Sequence, residues 1–199
     1  MLRNYATITA GYWAFTLTDG AIRMLVVLYF HQLGYTPLAI ASLFLFYEFF
    51  GIVTNLVGCW LCARIGLNKT MHIGMIVQIG ALLMLTVPTE YLTVAYVMLA
   101  QALSGVAKDL NKMSAKASIK LFVTDGSKAA SSKLFMWVAI LTGSKNTLKG
   151  IGYFLGGLLL ALYDFQHALY ILASGLSLVL IFTWALLPNE LGKTQHKAK

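Results

Sequence analysis

Apolar residues run along this chain in long blocks separated by short polar breaks. A membrane-spanning helix needs about 20 mostly apolar residues. Six blocks approach or exceed that length, at residues 5–30, 38–63, 71–87, 91–107, 134–163 and 166–187, and the third and fourth are the shortest. The breaks carry turn chemistry: Gly34 and Pro37 in HQLGYTP, Gly66 and Asn68 in RIGLNK, Pro88 in VPTE, and the polar run DGSKAASS. The pattern predicts an all-α membrane protein, with six transmembrane helices over residues 1–189 and a basic tail over 190–199. The chain's last stretch, PNELGKTQHKAK at 188–199, reads like the start of a linker between halves.

Composition strengthens this reading. Of 199 residues, 59% are hydrophobic and only 11% charged, where a soluble domain carries about a quarter. Mean hydropathy is +0.75. So much apolar surface requires lipid as solvent. The first block lacks a small-residue cleavage site after a short apolar core, so it reads as a retained helix and not a signal peptide.

A net charge of +8 suggests nucleic acid until the charges are placed. Arg3, Arg64 and Lys69 fall on one side of the predicted spans. So do Lys108, Lys112, Lys116, Lys120, Lys128 and Lys133, and then Lys193, Lys197 and Lys199. The other side's loops, near Gln32, Glu90 and Asp164, hold no Lys or Arg. The positive-inside rule then puts both termini in the cytoplasm, in a cell inner membrane, and makes these residues topology signals. Nucleic acid is not an expected partner. Lys108, Lys112, Lys116 and Lys120 recur every four residues and form one stripe on a helix. The stripe is either a solvated face of a fourth helix leaving the membrane or the wall of a cytoplasmic vestibule that draws in anions.

Ionisable groups inside the blocks are the candidate chemistry, because a charge at depth is costly unless paired or facing water. With a rise of about 1.5 Å per residue, Lys145 lies roughly 16 Å into the fifth block, and Lys149 one turn deeper on the same face. By the same measure Glu48 is roughly 15 Å deep from the opposite side, and Asp19 roughly 21 Å from residue 5. Arg23 follows Asp19 by one turn, an i,i+4 pair in the favourable order, and Glu48 is a second acid that could partner Arg23 or a lysine. Lys145 and Lys149 have no acid on their own helix, which points to a water-filled cavity or a bound anion. Arg23, Lys145, Lys149 and the intervening Asn146 are therefore candidate substrate-binding residues. Asp19 and Glu48 are candidates for charge balance or proton coupling. Gly143, Ser144 and Thr147 either serve an oxyanion or bond back to their own helix. Gly152, Gly156 and Gly157 form a small-residue face for close helix packing.

Cys59 and Cys62 make a single CxxC. A zinc site would want two further ligands, and His72 supplies one at most, so the pair reads as reduced and structural and no metal is expected. His31, His167 and His196 fall in loops or the tail. No nucleophile–base pair and no phosphate-cradling loop is visible, so neither an enzyme nor a cofactor is expected.

Six helices with both ends inside resemble one half of a major facilitator superfamily transporter, built from two inverted three-helix repeats. ARIGLNK resembles that superfamily's loop signature, with Arg64, Gly66 and Lys69 as the matching gating residues and Ala63 where an acid belongs. GYFLGG, residues 152–157, resembles its antiporter motif, with Tyr153 in place of proline. The runs YWAFTLTDGAIRMLVVLYFHQLGY, FLFYEFFGIVTNLVGCWL, KDLNKMSAKASIK and GSKNTLKGIGYFLGGLLL resemble the N-terminal half of the ArsJ family of organoarsenical efflux permeases. The resemblance implies export of 1-arseno-3-phosphoglycerate for arsenate resistance. It also implies a functional link to glyceraldehyde-3-phosphate dehydrogenase, which makes that anion from arsenate, and a partner in the form of a C-terminal six-helix half or a second copy. The open alternatives are an exporter of another phosphorylated or anionic metabolite, and a non-transporting membrane assembly subunit.

Overall fold

The computed structural model describes residues 2–122 and 128–187, without the side chains of 2–3, 59, 119–122, 128–131, 133 and 134. The expectations placed on Arg3, Cys59, Lys120, Lys128, Lys133 and the tail at 190–199 fall outside what is described.

The described chain is helical: α1 (Leu2–Gln32), α2 (Pro37–Leu43), α3 (Leu45–Ile65), α4 (Leu67–Met84), α5 (Val94–Phe122), α6 (Lys128–Leu162) and α7 (Phe165–Leu186). A single 3₁₀ turn, Thr89–Tyr91, joins α4 to α5. The boundaries follow local chemistry. Thr36 caps α2, its hydroxyl accepting from the Ala39 amide at 3.3 Å, and Pro37 opens the helix, a position where its missing N–H costs nothing. Phe44 separates α2 from α3, so the second expected crossing is one span broken near its start. Gly66 adopts φ 99° between α3 and α4, a region where a side chain is strained.

Two elements run longer than the hydropathy predicted. The fourth apolar block was expected to end at residue 107 with its lysine stripe on a helix running on out of the membrane, and α5, 29 residues in all, does run on to Phe122. The continuation is polar but packed. Asn111 donates to the Met71 carbonyl at 3.3 Å, and the Ser114 hydroxyl bonds the Leu67 carbonyl. The fifth span begins at Lys128 and not at 134, giving α6 35 residues. On length and composition alone, three described stretches suffice to cross a membrane: Asn4–Gln32, Pro37–Gly58 and Phe165–Leu186. Lysines within α5 and α6 dilute their hydropathy.

Inverted repeats would relate α1, α2–α3 and α4 to α5, α6 and α7. The most extensive pairing, α1 with α6, and that of α3 with α5 are then each other's counterparts. Helices in lipid associate through close packing, because lipid is as apolar as their side chains. Here backbones touch. A Cβ on Gly152 would strike the Leu17 carbonyl oxygen, and one on Gly156 the Ala21 carbonyl oxygen. At the counterpart crossing, a Cβ on Gly105 would strike the Tyr47 carbonyl oxygen. Gly157 would meet only the Leu28 side chain, at 3.6 Å. Two apolar cores result. One gathers Ile22, Leu25, Phe30, Leu43 and Leu82, the other Ile8, Phe15, Met71 and Leu176. α1 threads both, and Asp19 lies between its contributions to them.

Candidate functional site

Between the two cores, α1, α3 and α5 bring their ionisable groups together. Asp19 is only 4% exposed, and both its oxygens accept from the Tyr47 hydroxyl, at 2.7 and 2.9 Å. Tyr47 is fully buried. Arg23 Nη2 donates to Glu48 Oε1 at 2.9 Å, and Lys108 Nζ reaches the other oxygen, Oε2, at 3.5 Å. The Arg23 guanidinium and the Lys108 ammonium both lie over the Tyr47 ring, each 4.1 Å from its centroid, in reach of cation–π attraction. Lys108 also stands 3.8 Å from Asp109, whose other oxygen takes Lys112 at 3.1 Å. Glu48 sits in the first turn of α3, where the helix dipole favours an acid. The break at Phe44 creates that first turn.

This wiring corrects two expectations. Asp19 and Arg23 were expected to pair along α1. Among the described ion pairs, Arg23 instead bonds Glu48, and Asp19 bonds the Tyr47 hydroxyl. The short Asp19 side chain stays inside the bundle, while the longer arginine reaches the cleft edge. Lys108 was expected at the membrane exit. Because α5 continues to Phe122, Lys108 lies well inside that helix and joins the central network.

The sequence reading did not single out Tyr47, Asp109 or the central roles of Lys108 and Lys112. A signal for Lys108 was present. DGAIR at 19–23 parallels SGVAK at 104–108. Gly20 and Gly105 each sit at a tight helix crossing, and each is followed three residues later by a cation. Lys108 is thus the repeat counterpart of Arg23. Nothing comparable marks Tyr47, which looks like one more aromatic in an aromatic run.

On α6, Lys145 and Lys149 are half-buried. Their helix also packs against α5, which carries Lys108, Lys112 and Lys116. Lys149 lies over the Tyr153 ring, 5.9 Å from its centroid. Asn146 is exposed, one position round the helix from Lys145. The GSKNTLKG stretch stays helical; Ser144 donates back to the Leu141 carbonyl and accepts from Trp13 Nε1 at 2.9 Å. A cleft of about 330 Å³ opens beside the network, lined by Arg23, Met24, Val27, Ala41, Phe44 and Tyr153. A second hollow, of about 400 Å³ between Tyr29 and Gln166, has no Lys or Arg in its lining. In the α3–α4 turn, Arg64 lies over the Trp60 ring at 5.2 Å, and Lys69 is exposed. Cys62 is buried. Among the described residues no group of three His, Cys, Asp or Glu is placed to hold a metal.

The central stretches of α1, α3, α5 and α6 thus carry six cations, Arg23, Lys108, Lys112, Lys116, Lys145 and Lys149, and three carboxylates, Asp19, Glu48 and Asp109. Such a field suits an anionic ligand.

The family model described as Major Facilitator Superfamily matches residues 8–199. Among solved structures, a POT family transporter in complex with a thioalcohol-conjugated peptide is similar at a TM-score of 0.73 and 14% identity, over 97% of this chain and 41% of that one. A mutant of the peptide transporter POT in complex with sulfate is similar at a TM-score of 0.65 and 16% identity, over 95% of this chain and 40% of that one. At these identities the likeness is one of fold. The chain spans about two-fifths of the length of these transporters. No curated protein matches it in sequence.

Proposed function

The chain belongs to the major facilitator superfamily, and from that premise we propose that it forms the anion-binding half of a secondary exporter whose substrate is 1-arseno-3-phosphoglycerate. The superfamily is one of integral membrane transporters and not of enzymes. The observation that carries the reading is the surplus of cations over carboxylates around the central layer. The substrate offers a phosphate and an arsenate group, both anionic. In this reading Arg23, Lys145 and Lys149 bind it, Lys108 and Lys112 extend the field, and Asn146 contributes an amide at the rim. Asp19 and Glu48 balance the empty site. Arg64, Gly66 and Lys69 form the gating turn, and both termini lie in the cytoplasm of an inner membrane. The site in this superfamily lies between two six-helix halves, so a C-terminal half or a second copy completes the cavity. Glyceraldehyde-3-phosphate dehydrogenase supplies the substrate.

A second reading shares the same chemistry. Lysine and arginine read charge, and arsenate and phosphate are alike in charge and shape, so another phosphorylated metabolite fits the same field. Everted vesicles from cells expressing this chain with its flanking genes test the two. The arsenical is generated in place by glyceraldehyde-3-phosphate dehydrogenase from arsenate. We expect arsenic to accumulate above vesicles lacking the protein. Accumulation of a phosphorylated metabolite but not arsenic would reject the arsenical. Accumulation of neither would leave a membrane assembly subunit as the account.

A further inference from the structure

Three carboxylates serve the central network, and they are held differently. Asp19 is buried and takes the Tyr47 hydroxyl on both oxygens. Asp109 has a side chain only 3% exposed and is clamped by Lys112. Glu48 is the exception. Its side chain is 60% exposed, while the two cations it joins, Arg23 and Lys108, are each 18% exposed. One oxygen serves each cation, and the Lys108 contact is long, at 3.5 Å.

From this arrangement we infer that Glu48 is an internal stand-in for the transported anion: it occupies the seat between Arg23 and Lys108 and leaves when the anion arrives. The inference rests on the anion-binding reading above and adds how the site is emptied. Arg23 and Lys108 are too enclosed to stay uncompensated, because a buried charge without a partner is strongly unfavourable. With Glu48 away, Arg23 keeps none of the described ion pairs and Lys108 keeps only Asp109 at 3.8 Å, so an anion between them is favoured. A phosphoryl or carboxylate group has the two oxygens needed, as Glu48 does, and arginine favours such two-oxygen partners. Glu48 alone of the three acids has an open side, and with it room to swing. Asp19 is fixed by Tyr47, and Asp109 by Lys112 at 3.1 Å with a longer contact to Lys108 at 3.8 Å. The seat is therefore filled by Glu48 or by the ligand, never by both. The returning Glu48 side chain competes with the bound anion and promotes its release.

The test uses the whole chain, expressed with its flanking genes and reconstituted in lipid nanodiscs, with 3-phosphoglycerate as probe, read by titration calorimetry. Removing the competitor by Glu48→Gln should tighten binding about tenfold, or about 1.4 kcal/mol. Glu90→Gln removes the same charge from an exposed turn outside the site and should change affinity by less than threefold. Glu48→Asp keeps the charge but is one methylene short of bridging both cations, and should fall between. Carbodiimide labelling of Glu48 in the unmodified protein should rise when the probe is added, a response that a purely structural carboxylate would not give. Glu48→Gln binding the probe equally or more weakly, while Lys145→Gln abolishes binding, would overturn this proposal and leave the anion site standing. No binding by either the unmodified chain or Glu48→Gln, both folded, would reject the anion site and this proposal with it.

Discussion

Tyr47 is fully buried, and a buried hydroxyl or carboxylate left without a partner costs about 1–3 kcal/mol. Its hydroxyl and the Asp19 carboxylate satisfy each other. Tyr47→Phe keeps the ring beneath Arg23 and Lys108 but strands Asp19. We expect it to lower unfolding free energy by about 1–3 kcal/mol. In a double-mutant cycle with Asp19→Asn the two losses should fall short of additive, as they do for residues in direct contact. Additive losses would mean that the pair is not coupled. Arg23→Gln acts on function. It removes the guanidinium from the cleft wall and should weaken 3-phosphoglycerate binding by about tenfold or more, since charge-assisted hydrogen bonds contribute about 1.5–3 kcal/mol. At this scale the sequence showed which residues were out of place in lipid: Asp19, Arg23, Glu48, Lys145 and Lys149 stand out in apolar runs. It did not show their partners. Arg23 has an acid four residues before it and another in the next span, and only the crossing of α1, α3 and α5 decides for Glu48.

Helices here are held by crossings that admit no side chain. Gly156 meets the Ala21 carbonyl, whereas Gly143, thirteen residues earlier on the same helix, has nothing within 4 Å of a would-be Cβ. Gly156→Val should therefore cost about 1–3 kcal/mol or prevent folding, as overpacking does. Gly143→Ala should be neutral or stabilise by about 0.5–1 kcal/mol, the helix preference of alanine. Thermal unfolding of both in one detergent compares them directly, and equal effects would contradict the packing described here. Each of the six apolar blocks falls on described helix, but their ends were misjudged where polarity and burial part company. Asn111, Ser114 and Ser118 are polar yet buried, because α4 and the helix's own carbonyls accept their hydrogen bonds. A scale that scores each residue alone treats them as the exit from the membrane. The break at Phe44 was equally hidden, since no proline or glycine marks it.

Across the molecule, the two repeats place Arg23 and Lys108 at matching positions, and α6 adds Lys145 and Lys149 with no acid of its own. The long-range symmetry was written in DGAIR and SGVAK, five residues each, too short to notice without knowing that α1 and α5 correspond. The surplus of cations is the central claim, and Lys145 with Lys149 is its most direct test. 3-Phosphoglycerate should be titrated against the chain in lipid nanodiscs, beside Lys145→Gln/Lys149→Gln with the same thermal stability. The account predicts saturable binding by the unmodified chain, weakened at least about tenfold in the double variant, consistent with a difference of about 1.4 kcal/mol or more. Equal affinity in the two proteins would contradict it.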